Sequence, residues 1–234
     1  MPGLQNYEIA KGTPARIFTK WLGEKGSFGY DAIGGVEMGG KFIPLRLEGH
    51  QKSLYLGQHV IIRSNSEGYI PRELKPGSDA LVVGFSKPDN AISDELIQIL
   101  GHDAMDLTPT SIKPSNIEDI PPEYKITGEP KIGTKMVNQT EFEYLFVPSP
   151  DGNDATILAI NYKRDGKDTL ISVGDKVMVN DKSQHHYEGV ATKFKVGTNP
   201  IGSPEVLITL ATMDGAIQKT RVVDYYEVAN DERA

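Results

Sequence analysis

A glycine-rich stretch near the N-terminus has the residue types of a nucleotide-binding loop. It reads LGEKGSFGYDAIGGVEMGGKF, residues 22–42. A kinase loop needs Gly-x-Gly-x-x-Gly, then a strand lysine and Asp-bearing catalytic motifs. Gly23, Gly26 and Gly29 have a wider first spacing, no such motifs follow, and Lys41 is not followed by Ser or Thr, as a Walker loop requires. We therefore predict that these glycines shape the backbone and bind no nucleotide.

Histidines and acids offer candidate metal ligands at two places. In GHDAMD, His102 with Asp103 and Asp106 is similar to the His-Asp pair of metal phosphohydrolases, but those sites take further ligands from separate helices. His185 and His186 are adjacent, so in extended chain their side chains point in opposite directions and do not easily share one metal. We interpret the first group as a polar turn and the second as part of a polar loop.

Asp151, Asn153 and Asp154 resemble the start of a calcium-binding loop. The twelfth position of such a loop should be a bidentate glutamate, and Tyr162 stands there instead. A hairpin turn accounts better for these residues. The sequence also lacks a Gly-x-Ser-x-Gly elbow and any cysteine. We predict no catalytic, cofactor-binding or metal residues and no enzymatic activity; an enzyme assembled from scattered acids and His102 is the alternative.

Composition limits the compartment and the partners. The chain has 234 residues, no Cys and 25 basic against 32 acidic residues, a net charge of −7 that is spread evenly over the chain. Binding to nucleic acid depends largely on Lys and Arg, so direct binding to DNA or RNA is not expected. No apolar run approaches the ~20 residues that cross a bilayer, and the N-terminus lacks the pattern of a secretory signal. We expect a virion or cytoplasmic location, with no membrane partner.

Turn chemistry favours many short strands. With 24 Gly and 15 Pro the chain is rich in turn formers. Asp165-Gly166 and Asp214-Gly215 each separate two strand-like runs, and Asp151-Gly152 indicates a third hairpin, because Asp-Gly supplies the positive φ of tight turns. In the N-terminal half, SLYLGQHVIIRSN and SDALVVGFS are typical of strands, whereas ISDELIQILG (92–101) predicts a short helix. Trp21, the only tryptophan, is placed in a core, with anchoring to a partner as the alternative.

Two segments indicate an internal repeat. SLYLGQHVIIRSNSEGY (53–69) aligns with LISVGDKVMVNDKSQHH (170–186). Both contain an apolar strand, a glycine turn at Gly57 or Gly174, and a second strand that starts at Val60 or Val177. Two copies of one small β unit would explain the match, and chance similarity is the alternative.

The segment from Val173 to Val228 resembles an SH3-like small barrel of the KOW kind. The parts that carry the resemblance are GDKVMV, a long polar loop, EGVATKF with Gly189, a hairpin at Asp214-Gly215 and a closing YYEV. Of the family's usual Gly-x-x-Gly pair, Gly189 alone is present. The resemblance implies docking onto RNA, ribosomes or protein surfaces and brings no catalytic residues.

The predicted fold is mainly β, with two small SH3-like barrel or sandwich domains and one short helix. Its parts are a glycine-rich irregular arm (1–52), an N-terminal β domain (53–107), a proline-rich connector (108–131) and a C-terminal β domain (132–230). A long ordered loop on one domain is the alternative for the connector.

A strand at the edge of a sheet leaves backbone N–H and C=O groups unpaired, and a neighbouring chain can cover them. A chain rich in such edges suits an assembly. We expect a non-enzymatic structural protein that packs in a symmetric oligomer or particle, such as a virion component of the head decoration, neck or tail. Its partners would be other copies of itself and neighbouring structural proteins. The alternative is an SH3-like adaptor that docks on RNA, ribosome or polymerase surfaces.

Overall fold

The computed structural model describes residues 12–22, 30–49, 53–63, 74–85, 97–101, 109–118, 120, 126, 128–149, 154–164, 166–180, 186–212 and 217–221. Within these ranges the chain consists of antiparallel strands in small sheets, and the helical element is a 3-10 turn, Pro114–Asn116. The prediction of a mainly β fold is confirmed. No helix in the described ranges has the length and hydropathy of a membrane span.

The chain divides into two compact units. The N-unit comprises Arg16–Ile126 together with Met213–Gly215. The C-unit comprises Met1–Ala15, Thr127–Thr212 and Ala216–Ala234. The chain therefore begins in the C-unit, forms the N-unit, and returns.

The N-unit contains two four-stranded meanders with the strand orders β2-β3-β4-β5 and β6-β7-β8-β9. The strands of the first sheet are β2 (Phe18–Trp21), β3 (Tyr30–Met38), β4 (Lys41–Gly49) and β5 (Leu54–Tyr55). Those of the second are β6 (His59–Ile61), β7 (Asp79–Phe85), β8 (Ile97–Gly101) and β9 (Thr110–Ile112).

The C-unit repeats this arrangement and adds one edge strand, β1 (Thr13–Pro14). Its sheets have the orders β1-β10-β11-β12-β13 and β14-β15-β16-β17. The first sheet contains β10 (Lys131–Val137), β11 (Thr140–Pro148), β12 (Ala155–Arg164) and β13 (Lys167–Ser172). The second contains β14 (Lys176–Asn180), β15 (His186–Thr198), β16 (Pro204–Thr212) and β17 (Ile217–Arg221).

Alternating burial explains why these segments are strands. In β4, Ile43, Leu45 and Leu47 are buried while the intervening residues are half-buried, which is the period-2 pattern of a sheet with one face on the core. Gly39 and Gly40, both at positive φ, form the tight turn before it. That turn gives a hairpin whose backbone twist matches its strands.

The same glycine turn joins the two sheets in each unit. In the N-unit, Gly57 has φ 73° and its N–H donates to the carbonyl of Val82 at 2.8 Å. The side chain of Gln58 accepts a hydrogen bond from the backbone N–H of Tyr55 at 2.9 Å. The turn is therefore fixed both by a left-handed glycine and by a side-chain acceptor that follows it.

In the C-unit the equivalent bonds are present. Gly174 has φ 94° and donates to the carbonyl of Ala191 at 2.8 Å. A carboxylate oxygen of Asp175 accepts from the backbone N–H of Ser172 at 2.7 Å and from its hydroxyl at 3.0 Å. Over the described parts of the two segments, the equivalent bonds and the shared strand order agree with the predicted repeat; residues 64–69 and 181–185 lie outside the described residues.

The predicted helix at 92–101 is wrong over its described part. Residues 97–101 form β8, which pairs with β7 on one side and β9 on the other. Ile97 and Ile99 are fully buried and Gln98 between them is half-buried. Pairing with the strands on both sides, β7 and β9, therefore outweighs the helical spacing of Ile97 and Leu100. The rest of the helix prediction lies outside the described residues.

Two other boundaries also differ from the predictions. The glycine-rich stretch is no irregular arm over 30–49, because β3 and β4 pair along their length as a hairpin. Within the proline-rich segment, β9 pairs with β8, and Ile117 forms a bridge to Ile62. Ile112 and Ile117 are buried in the N-unit core, so this part of the segment belongs to a folded unit because it supplies apolar side chains to it.

Candidate functional site

The described glycines of the glycine-rich stretch serve strand packing, at Gly34 and Gly35, or a tight turn, at Gly39 and Gly40. Gly23, Gly26 and Gly29 lie outside the described residues. A Cβ on Gly34 would lie 2.5 Å from a carboxylate oxygen of Glu48, and one on Gly35 would overlap the carbonyl oxygen of Ile43. These glycines let neighbouring chain approach closely within the first sheet of the N-unit. Lys41 is exposed at the start of β4.

The candidate metal ligands are not brought together in the described parts. His102, Asp103, Asp106 and His185 lie outside them, and of His186 only the backbone, at the start of β15, is described. No group of three or more His, Asp or Glu suited to a metal occurs in the described ranges.

Of the predicted turn at Asp151-Gly152, only the residues that flank it lie in the described ranges. Asp151 and Asn153 lie outside the described residues, while a carboxylate oxygen of Asp154 accepts from the backbone N–H of Ala155 at 2.8 Å. β11 and β12 pair antiparallel, with Pro148 opposite Ala155. Tyr162 is buried, with its ring centroid 4.9 Å from that of Phe142, so it is a core residue.

The first exposed surface centres on Trp21 at the end of β2, the outer strand of its sheet. Trp21 pairs with Ala32, and Ala32 with Glu48, so the three side chains share one face. The next row on that face runs from Thr19 through glycine to Arg46. Trp21 is 70% exposed. The core interpretation of Trp21 is therefore wrong.

An ion pair stabilises this face beside Trp21. The Nε and Nη2 of Arg46 both donate to one carboxylate oxygen of Glu48 at 2.9 Å. Partial burial alone would lower the pKa of Arg46, but the hydrogen bond and charge of Glu48, with a contribution from Tyr55, raise that pKa above its usual value. The guanidinium stays charged throughout the biological pH range.

Two cations of the same region lie over aromatic rings. The Nζ of Lys20 is 3.9 Å from the centre of the Phe42 ring, and the guanidinium of Arg16 is 4.9 Å from that of Phe18. The ring quadrupole attracts both cations. β2 therefore carries two different features: Trp21 is exposed on one face, and Lys20, its neighbour in the strand, lies on the other face over the Phe42 ring.

The second surface is an open cleft of about 420 Å³ in the C-unit. One wall consists of Thr134, Lys135 and Met136 of β10 and Glu141 of β11; the other consists of Thr198, Gly202 and Pro204 around the β15–β16 hairpin. Met136 is 55% exposed, and Ile201 at the hairpin tip is 86% exposed. The cleft combines the thioether of Met136 and the ring of Pro204 with one cationic residue, Lys135, and one acidic residue, Glu141.

Comparisons with known proteins identify no relative. No family model matches the chain, and no curated protein or solved structure is similar to it at a significant level.

Sequence reasoning favoured a core position for Trp21, with anchoring to a partner as the alternative, and it did not find the cleft. A tryptophan in FTKW carries no signal that distinguishes core from surface, and only the position of β2 at the edge of its sheet explains its exposure. The cleft joins residues far apart in sequence. Its one readable signal is Asn138-Gln139, where both residues have positive φ and turn β10 into β11.

Proposed function

We propose that the protein is a non-enzymatic structural component that packs in a symmetric oligomer or a larger particle. The specific form that we propose is a virion component, such as a head-decoration, neck or tail protein. Its partners are other copies of itself and neighbouring structural proteins.

The supporting observation is the exposure of large apolar side chains on well-formed strands and hairpins. Trp21, Met136, Met178 and Ile201 are all exposed. Single exposed apolar residues are ordinary in monomers. Trp and Met, however, are enriched at the cores of interfaces, and here Trp21, Met136 and Met178 each lie on a β-strand. A repeated β scaffold that carries such side chains is suited to contacts with neighbouring subunits.

Self-association is the first testable consequence. Purified full-length chain at rising concentration is expected to form discrete multiples of the monomer mass, because burial of exposed apolar surface favours association. Mass photometry and sedimentation velocity measure this. A strictly monomeric chain at all concentrations would count against self-packing, as would absence from repeated assemblies in electron cryomicroscopy of its native source.

An SH3-like adaptor is the second candidate. In the N-unit a four-stranded meander is followed by a 3-10 turn and then a bridge from Ile117 back to Ile62, beside the first strand of the meander. This order of elements supports a small closed barrel of the SH3-like kind. The same unit carries the cations Arg16 and Lys20 and the exposed Trp21, and cations and exposed aromatic rings are the side chains that contact phosphate and stack bases.

Salt dependence separates this candidate from the first. If the adaptor hypothesis holds, fluorescence anisotropy with a labelled single-stranded RNA should show affinity that falls as salt rises, because bound cations are released from the phosphates. A Lys20→Gln variant should bind less tightly and show a shallower slope. Undetectable binding at low salt, or affinity unchanged by salt, would remove this candidate.

A further inference from the structure

The first meander strands of the two units are equivalent in sequence and in position. RIFTKW (16–21), which contains β2, aligns with KIGTKM (131–136) of β10, and each segment follows a Gly-x-Pro sequence. β2 and β10 each begin the four-stranded meander that precedes the glycine turn of their unit. The repeat therefore presents two equivalent strand edges.

The C-unit shows what such an edge accepts. β1 lies against the outer edge of β10, with Thr13 opposite Ile132 and Pro14 opposite Lys131. The backbone N–H of Ala15 continues the contact by donating to the carbonyl of Pro130. A short extended segment therefore covers the start of this edge.

The equivalent edge of the N-unit is open among the described strands. Of these strands, only β3 pairs with β2, and all four residues of β2 are exposed or half-buried. In an antiparallel pair, alternate residues direct their N–H and C=O groups away from the partner strand. β2 therefore presents backbone donors and acceptors with which an added strand can pair.

Lys20 restricts which strand can be added. It lies opposite Ile33 on the face that bears the N-unit core, and its Nζ is 3.9 Å from the centre of the Phe42 ring. Inward-facing charge on an edge strand keeps like edges apart, since two copies of β2 would bring lysine near lysine. A carboxylate on the incoming strand removes this penalty, because opposite charges on neighbouring strands attract.

The other face of β2 sets a second requirement. Thr19 and Trp21 are exposed, and a β-branched side chain on the added strand would pack beside the indole. Residues 16–21 contain two cations and no acid, while Glu48 on this face is paired with Arg46. The net charge of the whole chain is screened beyond about 8 Å at physiological salt, so the local positive charge decides.

We propose that the outer edge of β2 binds an extended acidic segment of a neighbouring structural protein other than this chain, which adds to the sheet as β1 adds to β10. The inference rests on the proposed structural function and names the surface through which a neighbour docks. The segment places acidic residues on the side of Lys20 and β-branched residues on the side of Trp21. Its backbone provides affinity, and this alternation provides selectivity.

Synthetic peptides test the strand addition. A peptide of alternating Glu and Thr, titrated into isotopically labelled full-length protein, is expected to shift the NMR signals of the β2 amides and of the Trp21 indole, but not those of β10. The same peptide N-methylated along its pairing edge should bind at least about 10-fold more weakly, because it lacks the N–H donors of a ladder.

Charge reversal tests the selectivity. Lys20→Glu is expected to weaken binding of the Glu-Thr peptide about 10-fold and to strengthen binding of a Lys-Thr peptide, because the like-charge pair moves from one peptide to the other. Lys135→Glu, at the equivalent position of β10, makes the same change in net charge. This matched control should bind the Glu-Thr peptide as the unchanged chain does. Circular dichroism and thermal unfolding check that both variants fold.

The remaining outcomes contradict the inference in different ways. If the Glu-Thr peptide does not bind, Lys20 closes the edge to all strands and the inference is wrong. If the N-methylated peptide binds equally well, side chains alone are recognised and strand addition is wrong. Slow hydrogen exchange at the outward amides of β2 in the protein alone would identify this chain as the occupant; dependence on concentration would identify a second copy. Either result overturns the inference.

Failure of this inference and failure of the proposed function are separate results. Assemblies that form without peptide binding leave the structural role standing and remove the β2 contact. Peptide binding by a chain that joins no assembly keeps the β2 surface and removes the structural role.

Discussion

Replacement of Phe146 by alanine is expected to lower the free energy of unfolding by about 3–5 kcal/mol, the usual cost of truncating a buried aromatic ring. Phe146 is fully buried near the C-terminal end of β11. Its ring centroid lies 5.5 Å from that of Tyr144. A Cβ on Gly12 would lie only 2.5 Å from its Cζ, so the start of the described chain packs directly on this ring. Its removal leaves a cavity that surrounding strands fill only in part.

Chemical denaturation followed by circular dichroism measures this loss. Hydrogen exchange adds a local readout at Ala15, whose N–H donates to the carbonyl of Pro130 at 2.9 Å beside β1. Because β1 is a short strand next to Gly12, exchange at Ala15 should accelerate in Phe146→Ala more than exchange in the second sheet of the C-unit. Ile201→Ala, at an exposed hairpin tip, should change stability by at most about 0.5 kcal/mol. Equal effects of the two variants would contradict the assignment of Phe146 to the core.

Features with local causes were predictable from the sequence. β12 and β13 are joined through Gly166, which has φ 77°, with Arg164 opposite Lys167. The Asp-Gly pair predicts this hairpin because the turn conformation depends on the two residues that form it. The repeat was readable for the same reason. Gly57 and Gly174 hold the same left-handed position, and a polar residue follows each.

Features that depend on contacts with other strands were not predictable from the sequence. The described part of the segment predicted as a helix is a strand because β7 and β9 supply hydrogen-bond partners on both sides. A short apolar run carries no information about such partners. The exposure of Trp21 has a similar origin. Residue type alone favours burial, whereas the exposed position follows from the place of β2 at the end of its sheet.

Gly189 belongs to the segment that resembles an SH3-like barrel, and it lies where the structure leaves no room for a side chain. It is the one glycine left of the Gly-x-x-Gly pair in the barrel-like segment. In the structure it lies on β15 between two strands, opposite Val177 of β14 and Thr212 of β16. A Cβ there would lie 2.6 Å from the carbonyl oxygen of Ala211 and 3.0 Å from the Cβ of Leu210. The first of these atoms is backbone, so rotation of a side chain cannot relieve the contact.

Gly189→Ala is therefore expected to lower the free energy of unfolding by about 1–3 kcal/mol, the usual cost of overpacking a tightly packed site. Gly197→Ala is the matched control, because Gly197 lies on the same strand and a Cβ there would meet nothing within 4 Å. The control should be neutral or stabilising by up to about 1 kcal/mol, since alanine reduces the entropy of the unfolded chain. Urea denaturation of the two variants gives the comparison.

The paired design separates two explanations for a glycine in a strand. The effect of alanine on the unfolded chain is similar at both positions, so a difference between the variants reports the contact with β16. If both variants are stabilised, the close approach of β15 and β16 at Gly189 is wrong. If Gly189→Ala alone is destabilised, the glycine is required by strand packing, and its presence in the barrel-like segment needs no ligand to explain it.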